Sequence, residues 1–189
     1  MEIPSKIILF IIAGLFISYS SAQPNISWKE HIIDDSSIGP PDLAGSDGLV
    51  MADLDKDGYL DIISVHELDT EYGVPEGYVR IAWGSEDPFT WTSTTLASGS
   101  EAPSAEDVDV SDADGDGWLD IVVACELAHL VYFKNPTKHH RKVHWQRTIP
   151  ESTLNRGSFI RVFFSDLDGD GRVEVVTANK GGENATGSN

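Results

Sequence analysis

Short apolar runs rich in Val and Ile recur along the chain and alternate with loops rich in Asp and Gly. Three of these runs directly follow an acidic loop, and another short apolar segment precedes each loop. Runs of this length and composition, bounded by Asp and Gly, are typical of β-strands. The pattern therefore predicts three β-hairpins, which pair residues 48–52 with 60–65, 105–110 with 119–124, and 159–164 with 173–178.

The first two hairpins are followed by further strand candidates. Third strands are predicted at 78–83 and 129–133, and fourth strands at 91–96 and 145–149. Residues 28–33 resemble the fourth strands, so we expect the N-terminal segment to contribute a strand as well. The predicted organisation comprises a signal peptide at 1–22, the N-terminal segment at 23–43, repeats at 44–103 and 104–157, and a partial third repeat at 158–189.

The acidic loops share the pattern Asp-x-Asp-x-Asp-Gly-x-x-Asp/Glu. They begin at Asp53, Asp112 and Asp166, so their starts lie 59 and 54 residues apart. Repeats of four short strands at such a period favour an all-β fold built from β-propeller blades over a sandwich. About four to eight blades close a ring, so two full units and part of a third predict an incomplete, C-terminally truncated propeller. A small non-propeller β array and a ring closed by oligomerisation are the alternatives.

The loop sequence itself indicates a metal. Carboxylates at positions 1, 3 and 5 converge on one point, because the residues between them point away and Gly at position 6 permits a tight turn. About five to six oxygens suit Ca²⁺ better than Mg²⁺, which needs tighter octahedral geometry. Zinc is disfavoured because the loops contain no Cys or His. A solvated acidic turn is the alternative, disfavoured by the three regularly spaced copies.

The EF-hand begins with the same residues, but it needs a bidentate Glu at position 12 and a following helix. Ser64, Val123 and Thr177 stand at that position here, and β-branched runs follow. The loops instead resemble the FG-GAP and VCBS repeats of propellers similar to the integrin α-subunit head, over about residues 44–178. The Phe-Gly and Gly-Ala-Pro segments of FG-GAP repeats are not clear, so the VCBS type is the closer match.

In that family the acidic loop between two blade strands binds Ca²⁺, so the resemblance implies up to three ions, one per repeat. The implied ligands are the carboxylates at positions 1, 3, 5 and 9 and the carbonyl at position 7. They are Asp53, Asp55, Asp57, Tyr59 and Asp61 in the first loop, Asp112, Asp114, Asp116, Trp118 and Asp120 in the second, and Asp166, Asp168, Asp170, Arg172 and Glu174 in the third. Glu174 has a longer arm than the Asp it replaces.

The N-terminus predicts export. Lys6 precedes an apolar run at 7–17, and the small residues at 20–22 offer a cleavage site, as in a secretory signal peptide. A transmembrane anchor is the alternative, but such a run rises only about 16 Å as a helix against a hydrocarbon core of about 30 Å. We therefore expect a secreted, extracellular protein without a transmembrane span in the mature chain. The sequons at Asn25 and Asn184 allow N-glycosylation.

The amino-acid composition limits the classes of partner that the protein can bind. The chain has 31 acidic and 13 basic residues, which argues against nucleic acid and anionic lipid. Cys125 is the single cysteine and lies in an apolar run, which predicts a buried strand residue, with a free reactive thiol as the alternative. We interpret the basic segment at 134–147 as a solvated turn. A site for sulfated glycans or an acidic partner is the alternative.

The sequence carries no catalytic motif: it has no nucleophile elbow, no phosphate-binding glycine loop and no zinc-protease helix. Two function classes follow. The first is a calcium-binding scaffold for binding or adhesion, with an unknown protein or carbohydrate ligand. The second is the propeller portion of a carbohydrate-active enzyme of the polysaccharide lyase or sugar dehydratase type, and fold resemblance alone does not separate the two.

Overall fold

The computed structural model describes residues 27–68, 76–154 and 156–181. The chain divides into two compact units, residues 1–30 and residues 31–189. Only residues 27–30 of the first unit are described, and they carry no regular secondary structure. The predicted signal peptide and the sequon asparagines Asn25 and Asn184 lie outside the described residues.

The first antiparallel sheet contains four strands in the order β1-β2-β3-β4. They are β1 (Ser46–Ala52), β2 (Asp61–His66), β3 (Gly77–Trp83) and β4 (Thr92–Gly99). Val and Ile alternate with smaller or polar residues in β2 and β3, so one face of the sheet is apolar. That face carries the fully buried Ile63, Val65, Val79 and Ile81.

The second antiparallel sheet repeats this order with β5 (Ala105–Ser111), β6 (Asp120–Cys125), β7 (Leu130–Lys134) and β8 (Gln146–Thr148). A short 3-10 helix, Glu151–Thr153, leads to a two-stranded antiparallel sheet of β9 (Phe159–Ser165) and β10 (Glu174–Asn179). Every residue of β6 is buried, because this strand is covered on both faces. The expected all-β fold with four-stranded antiparallel sheets is therefore confirmed.

The three sheets stack through two apolar layers. Trp83 and Phe133 are the largest side chains of the layer between the first two sheets, and Cys125 is fully buried there, as predicted. Burial raises the pKa of the Cys125 thiol to about 12. A smaller layer, which includes Val122 and Val162, lies between the second and third sheets. Among the described residues, no helix has the length and apolar character needed to cross a membrane.

The first strands of the sheets, β1, β5 and β9, lie side by side. Gly48 of β1 permits the first contact, because a Cβ atom at this position would lie 2.6 Å from the Asp107 Cα atom. Two β5 carboxylates make the second contact. Asp107 Oδ2 accepts a hydrogen bond from the Val162 N–H at 3.0 Å, and Asp109 Oδ2 accepts one from the Phe164 N–H at 2.7 Å. The side chains of β5 thus satisfy backbone donors on the edge of the next sheet.

The strand predicted at 28–33 is wrong, since no residue of this segment is in a strand and Trp28 is 91 % exposed. A strand requires a partner for its backbone groups, and none of the described strands pairs with it. Residues 34–42 instead form turns held on the first sheet by side chains. Asp34 pairs with the buried Arg80, and Asp42 accepts a hydrogen bond from the Tyr78 hydroxyl at 2.8 Å.

Candidate metal centres

Each acidic loop closes the hairpin between the first two strands of a sheet. Glycine at position 6 has a positive φ in all three loops, +93° at Gly58, +89° at Gly117 and +87° at Gly171, which side-chain-bearing residues rarely adopt. This backbone turn directs the carboxylates of the preceding residues inwards. The sequence therefore encodes the loop shape locally, at one obligatory glycine.

In the first loop, one carboxylate oxygen from each of Asp53, Asp55 and Asp57 lies within 4.8 Å of the others. Backbone N–H groups fix two of these side chains. Asp53 accepts hydrogen bonds from the N–H groups of Asp57 at 3.1 Å and Gly58 at 3.0 Å, and Asp57 accepts one from the Tyr59 N–H at 2.9 Å. The three acids at alternate positions are thus held together, as the spacing predicts.

The second loop has the same arrangement. Oxygens of Asp112, Asp114 and Asp116 lie within 4.8 Å of one another. Asp112 accepts a hydrogen bond from the Gly117 N–H at 2.9 Å, and Asp116 accepts one from the Trp118 N–H at 3.0 Å. The shared bonding pattern shows that the two loops are structural copies.

In the third loop, the oxygens that lie within 4.8 Å of one another belong to Asp166, Asp168 and Glu174. Asp166 accepts a hydrogen bond from the Gly171 N–H at 3.0 Å, and Asp170 accepts one from the Arg172 N–H at 2.8 Å. The longer Glu174 side chain reaches the cluster of its own loop. The Asp at position 9 in the first and second loops does not join the cluster there. The third loop therefore differs in which acids it brings together.

The carboxylate at position 9 closes each loop by accepting a hydrogen bond from the backbone N–H at position 2. Asp61 accepts one from Leu54 at 2.9 Å, Asp120 from Ala113 at 3.3 Å, and Glu174 from Leu167 at 2.8 Å. Asp61 and Asp120 are also fully buried. Burial raises the pKa of Asp61 to about 6 and raises the pKa of Asp120 above its ordinary value.

The second oxygen of each buried acid binds a neighbouring loop. Asp61 Oδ1 accepts a hydrogen bond from the Gly84 N–H at 2.9 Å, and Asp120 Oδ1 accepts one from the Asn135 N–H at 2.8 Å. In this structure, these two predicted ligands therefore anchor the loop to the end of the third strand. Roles for the carbonyls of Tyr59, Trp118 and Arg172 stay predictions.

Two oxygens of the clustered acids are buried without a hydrogen-bond donor. Within the described part of the chain, neither Asp55 Oδ1 nor Asp112 Oδ1 has a partner. A buried carboxylate oxygen without a donor is costly, because it has lost its water and gained nothing in exchange. A hard cation bound by the cluster would supply the missing charge, and an all-oxygen donor set suits Ca²⁺. The first and second loops therefore fit a calcium ion.

Two basic side chains lie against these loops, Lys134 at the end of β7 and Arg141 in the loop between β7 and β8. Both belong to the segment that was predicted to be a solvated turn. Arg141 Nε lies 2.7 Å from Asp55 Oδ2, and Arg141 Nη2 lies 2.8 Å from Asp57 Oδ2. Lys134 Nζ pairs with Asp114 and lies 3.1 Å from Asp116 Oδ2. The opposite charges of this segment and of the acidic loops were the only sequence signal for these contacts.

A buried amide links the same elements. Asn135 is fully buried, and its Nδ2 donates hydrogen bonds to the carbonyls of Leu54 and Leu119, each at 3.0 Å. Its Oδ1 accepts one from the Thr137 N–H at 3.0 Å. Because Leu54 belongs to the first acidic loop and Leu119 to the second, Asn135 connects the two candidate centres.

A fourth acidic group was not foreseen. Oxygens of Asp47, Glu67 and Glu106 lie within 4.8 Å of one another, although Asp47 is in β1, Glu67 directly follows β2 and Glu106 is in β5. Burial, together with the charge of Asp47, raises the pKa of Glu106. The pairing of β1 with β2 brings Asp47 and Glu67 together, and the stacking of the first two sheets adds Glu106.

The fold and the clusters define an all-β protein of stacked antiparallel sheets whose hairpin loops carry groups of carboxylates. No model of a protein family matches the chain, and a search of curated proteins likewise finds no match.

Proposed function

We propose that this chain is a secreted calcium-binding repeat protein of the VCBS-like β-propeller type, which acts as a scaffold for binding or adhesion. The observation that carries the calcium proposal is the pair of buried, donor-free oxygens, Asp55 Oδ1 and Asp112 Oδ1, at equivalent clusters. One Ca²⁺ per acidic loop would replace the cross-links that a chain with a single cysteine lacks. The partner of the scaffold is a protein or a carbohydrate.

The stacking of the sheets supports the propeller arrangement. β1, β5 and β9 lie side by side, and each is the first strand of its sheet, as the inner strands of propeller blades would be. Apolar side chains are exposed on the outer faces of the stack. Leu49 and Met51 of β1 are 65 % and 50 % exposed, whereas their repeat equivalents in β5, Val108 and Val110, pack in the layer against the first sheet. Such faces are suited to contact with further sheets of the same kind.

Thermal unfolding tests the calcium proposal. Because a ligand that binds only the folded state stabilises it by mass action, Ca²⁺ at about 100 times its Kd adds about 2.7 kcal/mol per site. We expect a higher Tm in millimolar Ca²⁺ than in chelator, and a smaller rise in Mg²⁺ at the same ionic strength. Equal midpoints in chelator and in Ca²⁺ would contradict the proposal.

A single substitution tests whether the loops are separate sites. Asp114→Ala removes one acid of the second cluster, so we expect calorimetry to lose or weaken one Ca²⁺ site and to leave the others titrating. The matched control is Asp87→Ala, which removes the same charge from the β3–β4 loop. Loss of all Ca²⁺ binding in Asp114→Ala would show a shared site instead.

A further inference from the structure

Arg141 binds two carboxylates of the first loop, those of Asp55 and Asp57, through one oxygen each. Its Nε and Nη2 lie 2.7 and 2.8 Å from the Oδ2 atoms of Asp55 and Asp57, and its side chain is 34 % exposed. The guanidinium carbon also lies 5.1 Å from the centre of the Trp83 ring. Two charge-assisted hydrogen bonds and an aromatic contact define the position of this cation.

The segment that carries Arg141 is held by buried contacts. His140 Nδ1 is 2.7 Å from Asn135 Oδ1, and the Trp145 Nε1–H donates to the His140 carbonyl at 3.1 Å. The ring of His140 lies 4.7 Å from that of Trp118, a residue of the second loop. These contacts fix the backbone next to Arg141. The side chain therefore reaches the first loop from a fixed position, 86 residues away from Asp55 in the sequence.

We propose that Arg141 is a built-in counter-cation of the first acidic loop and lowers its affinity for Ca²⁺. This inference rests on the proposed calcium binding. The guanidinium occupies oxygens of two of the three clustered acids, so an incoming ion meets carboxylates that are already partly neutralised. A divalent ion and a unit charge about 5 Å apart repel by enough, even in water, to weaken binding about tenfold.

The second loop also has a counter-cation, but a less firmly placed one. Lys134 contacts Asp114 and Asp116 through one ammonium group at the end of a flexible stem. An ammonium is a point charge, whereas the planar guanidinium matches two carboxylates at fixed geometry. The first loop therefore carries the more firmly placed competitor, and Ca²⁺ fills it at a higher concentration than the second.

Calorimetric titration of Arg141→Gln tests the inference. We expect one Ca²⁺ site to tighten about tenfold, because the competing charge is gone while the acids remain. Lys142→Gln is the matched control, since it removes the same charge from the adjacent exposed residue and should change the affinity by less than about threefold. Arg141→Lys keeps the charge but loses the planar guanidinium that contacts both acids. Its Ca²⁺ affinity should therefore lie between those of the wild type and Arg141→Gln.

A double variant assigns the effect to the first loop. In an Asp55→Asn background, Arg141→Gln should no longer increase any affinity, because the site it acts on has lost a ligand. An unchanged or weaker affinity in Arg141→Gln, with Ca²⁺ still bound, would overturn the counter-cation. Absence of Ca²⁺ binding in the wild type and in both Arg141 variants would overturn the proposed function itself. If Arg141→Gln does not fold, Arg141→Lys distinguishes the same outcomes.

Discussion

His129 is a buried ionisable residue whose ring nitrogens lack partners in the described part of the chain. It lies in the turn between β6 and β7, where its carbonyl accepts a hydrogen bond from the Cys125 N–H at 3.1 Å. Burial, followed by the positive charge of Arg147, lowers the pKa of His129 below its ordinary value. The neutral ring is therefore buried at the cost of its hydrogen bonds with water.

His129→Leu should stabilise the protein by about 1 kcal/mol, because two unpaired polar atoms are replaced by an apolar side chain. The substitution should also change the pH dependence. The folded-state pKa is lowered, so the unfolded chain binds more protons, and the wild type loses stability as the pH falls below about 6.5.

Urea unfolding from about pH 7.5 to about pH 5 measures both effects. The loss of stability should be smaller in His129→Leu than in the wild type. The control is His144→Leu, which changes an exposed histidine of the loop before β8. Parallel pH curves for the wild type and His129→Leu would contradict the expected burial cost.

The sequence predicts the acids of a loop better than the residues around them. Asp53, Asp55 and Asp57 are close in the chain, so a rule of spacing and one glycine suffices to bring them together. The contacts of Asp61 with Gly84 and of Asp55 with Arg141 depend on how strands and sheets pack. No local pattern specifies such distant partners, and the basic segment therefore looked like an ordinary solvated turn.

At the scale of elements, the contact between β1 and β5 requires a residue without a side chain. A Cβ atom at Gly48 would lie 2.6 Å from the Asp107 Cα atom and 3.0 Å from the Glu106 carbonyl oxygen. Both are backbone atoms, so the strands must move apart to admit a methyl group. Gly48 thus sets the distance between the first two sheets.

Gly48→Ala should destabilise the protein by about 1–3 kcal/mol, as is typical of overpacking in a well-packed interior. The matched control is Leu49→Ala, which alters the exposed face of the same strand and should change stability by about 0.5 kcal/mol or less. Urea denaturation in chelator measures both values without the contribution of bound metal. Equal midpoints for the two variants would show that the sheets tolerate the added methyl group.

Strand existence was more predictable than strand partnership. The short apolar, β-branched runs between acidic and Gly-rich loops predicted the ten strands that the structure has, in two groups of four and one pair. The resemblance of residues 28–33 to the fourth strands predicted a strand that the structure lacks, since a strand also needs a neighbour. The register shift between Val79 and Arg80, where β3 pairs with β4, was not predicted either, because the residue pattern of one strand carries no information about its partner.

At the scale of the whole molecule, the net charge disfavours association of copies of the chain, whereas the exposed apolar surface favours it. The formal net charge is −18, so copies of the chain repel one another at low salt. The stack nevertheless exposes apolar side chains on both outer faces, Leu49 and Met51 on the first sheet and Phe163 on the third. Salt or Ca²⁺ weakens the repulsion and leaves the attraction between apolar faces.

Phe163 is the residue best placed to test this balance. It is 49 % exposed and is the repeat equivalent of Asp109, whose carboxylate binds the edge of the next sheet. We expect the chain to self-associate at high concentration in Ca²⁺, with the face of Phe163 against the face of Leu49 in another copy, because exposed apolar patches drive association. Phe163→Asp should weaken this self-association by about tenfold or more, as a charge replaces an apolar contact.

Sedimentation velocity over a range of protein concentrations, in Ca²⁺ and in chelator, measures the association. Leu154→Asp is the control, because it places the same charge on an exposed apolar residue beyond the 3-10 helix. If the two variants associate equally, the added charge alone is responsible. If only Phe163→Asp stays monomeric, the contact that stacks the sheets within the chain also acts between chains, because both use the same repeat positions on the sheet face.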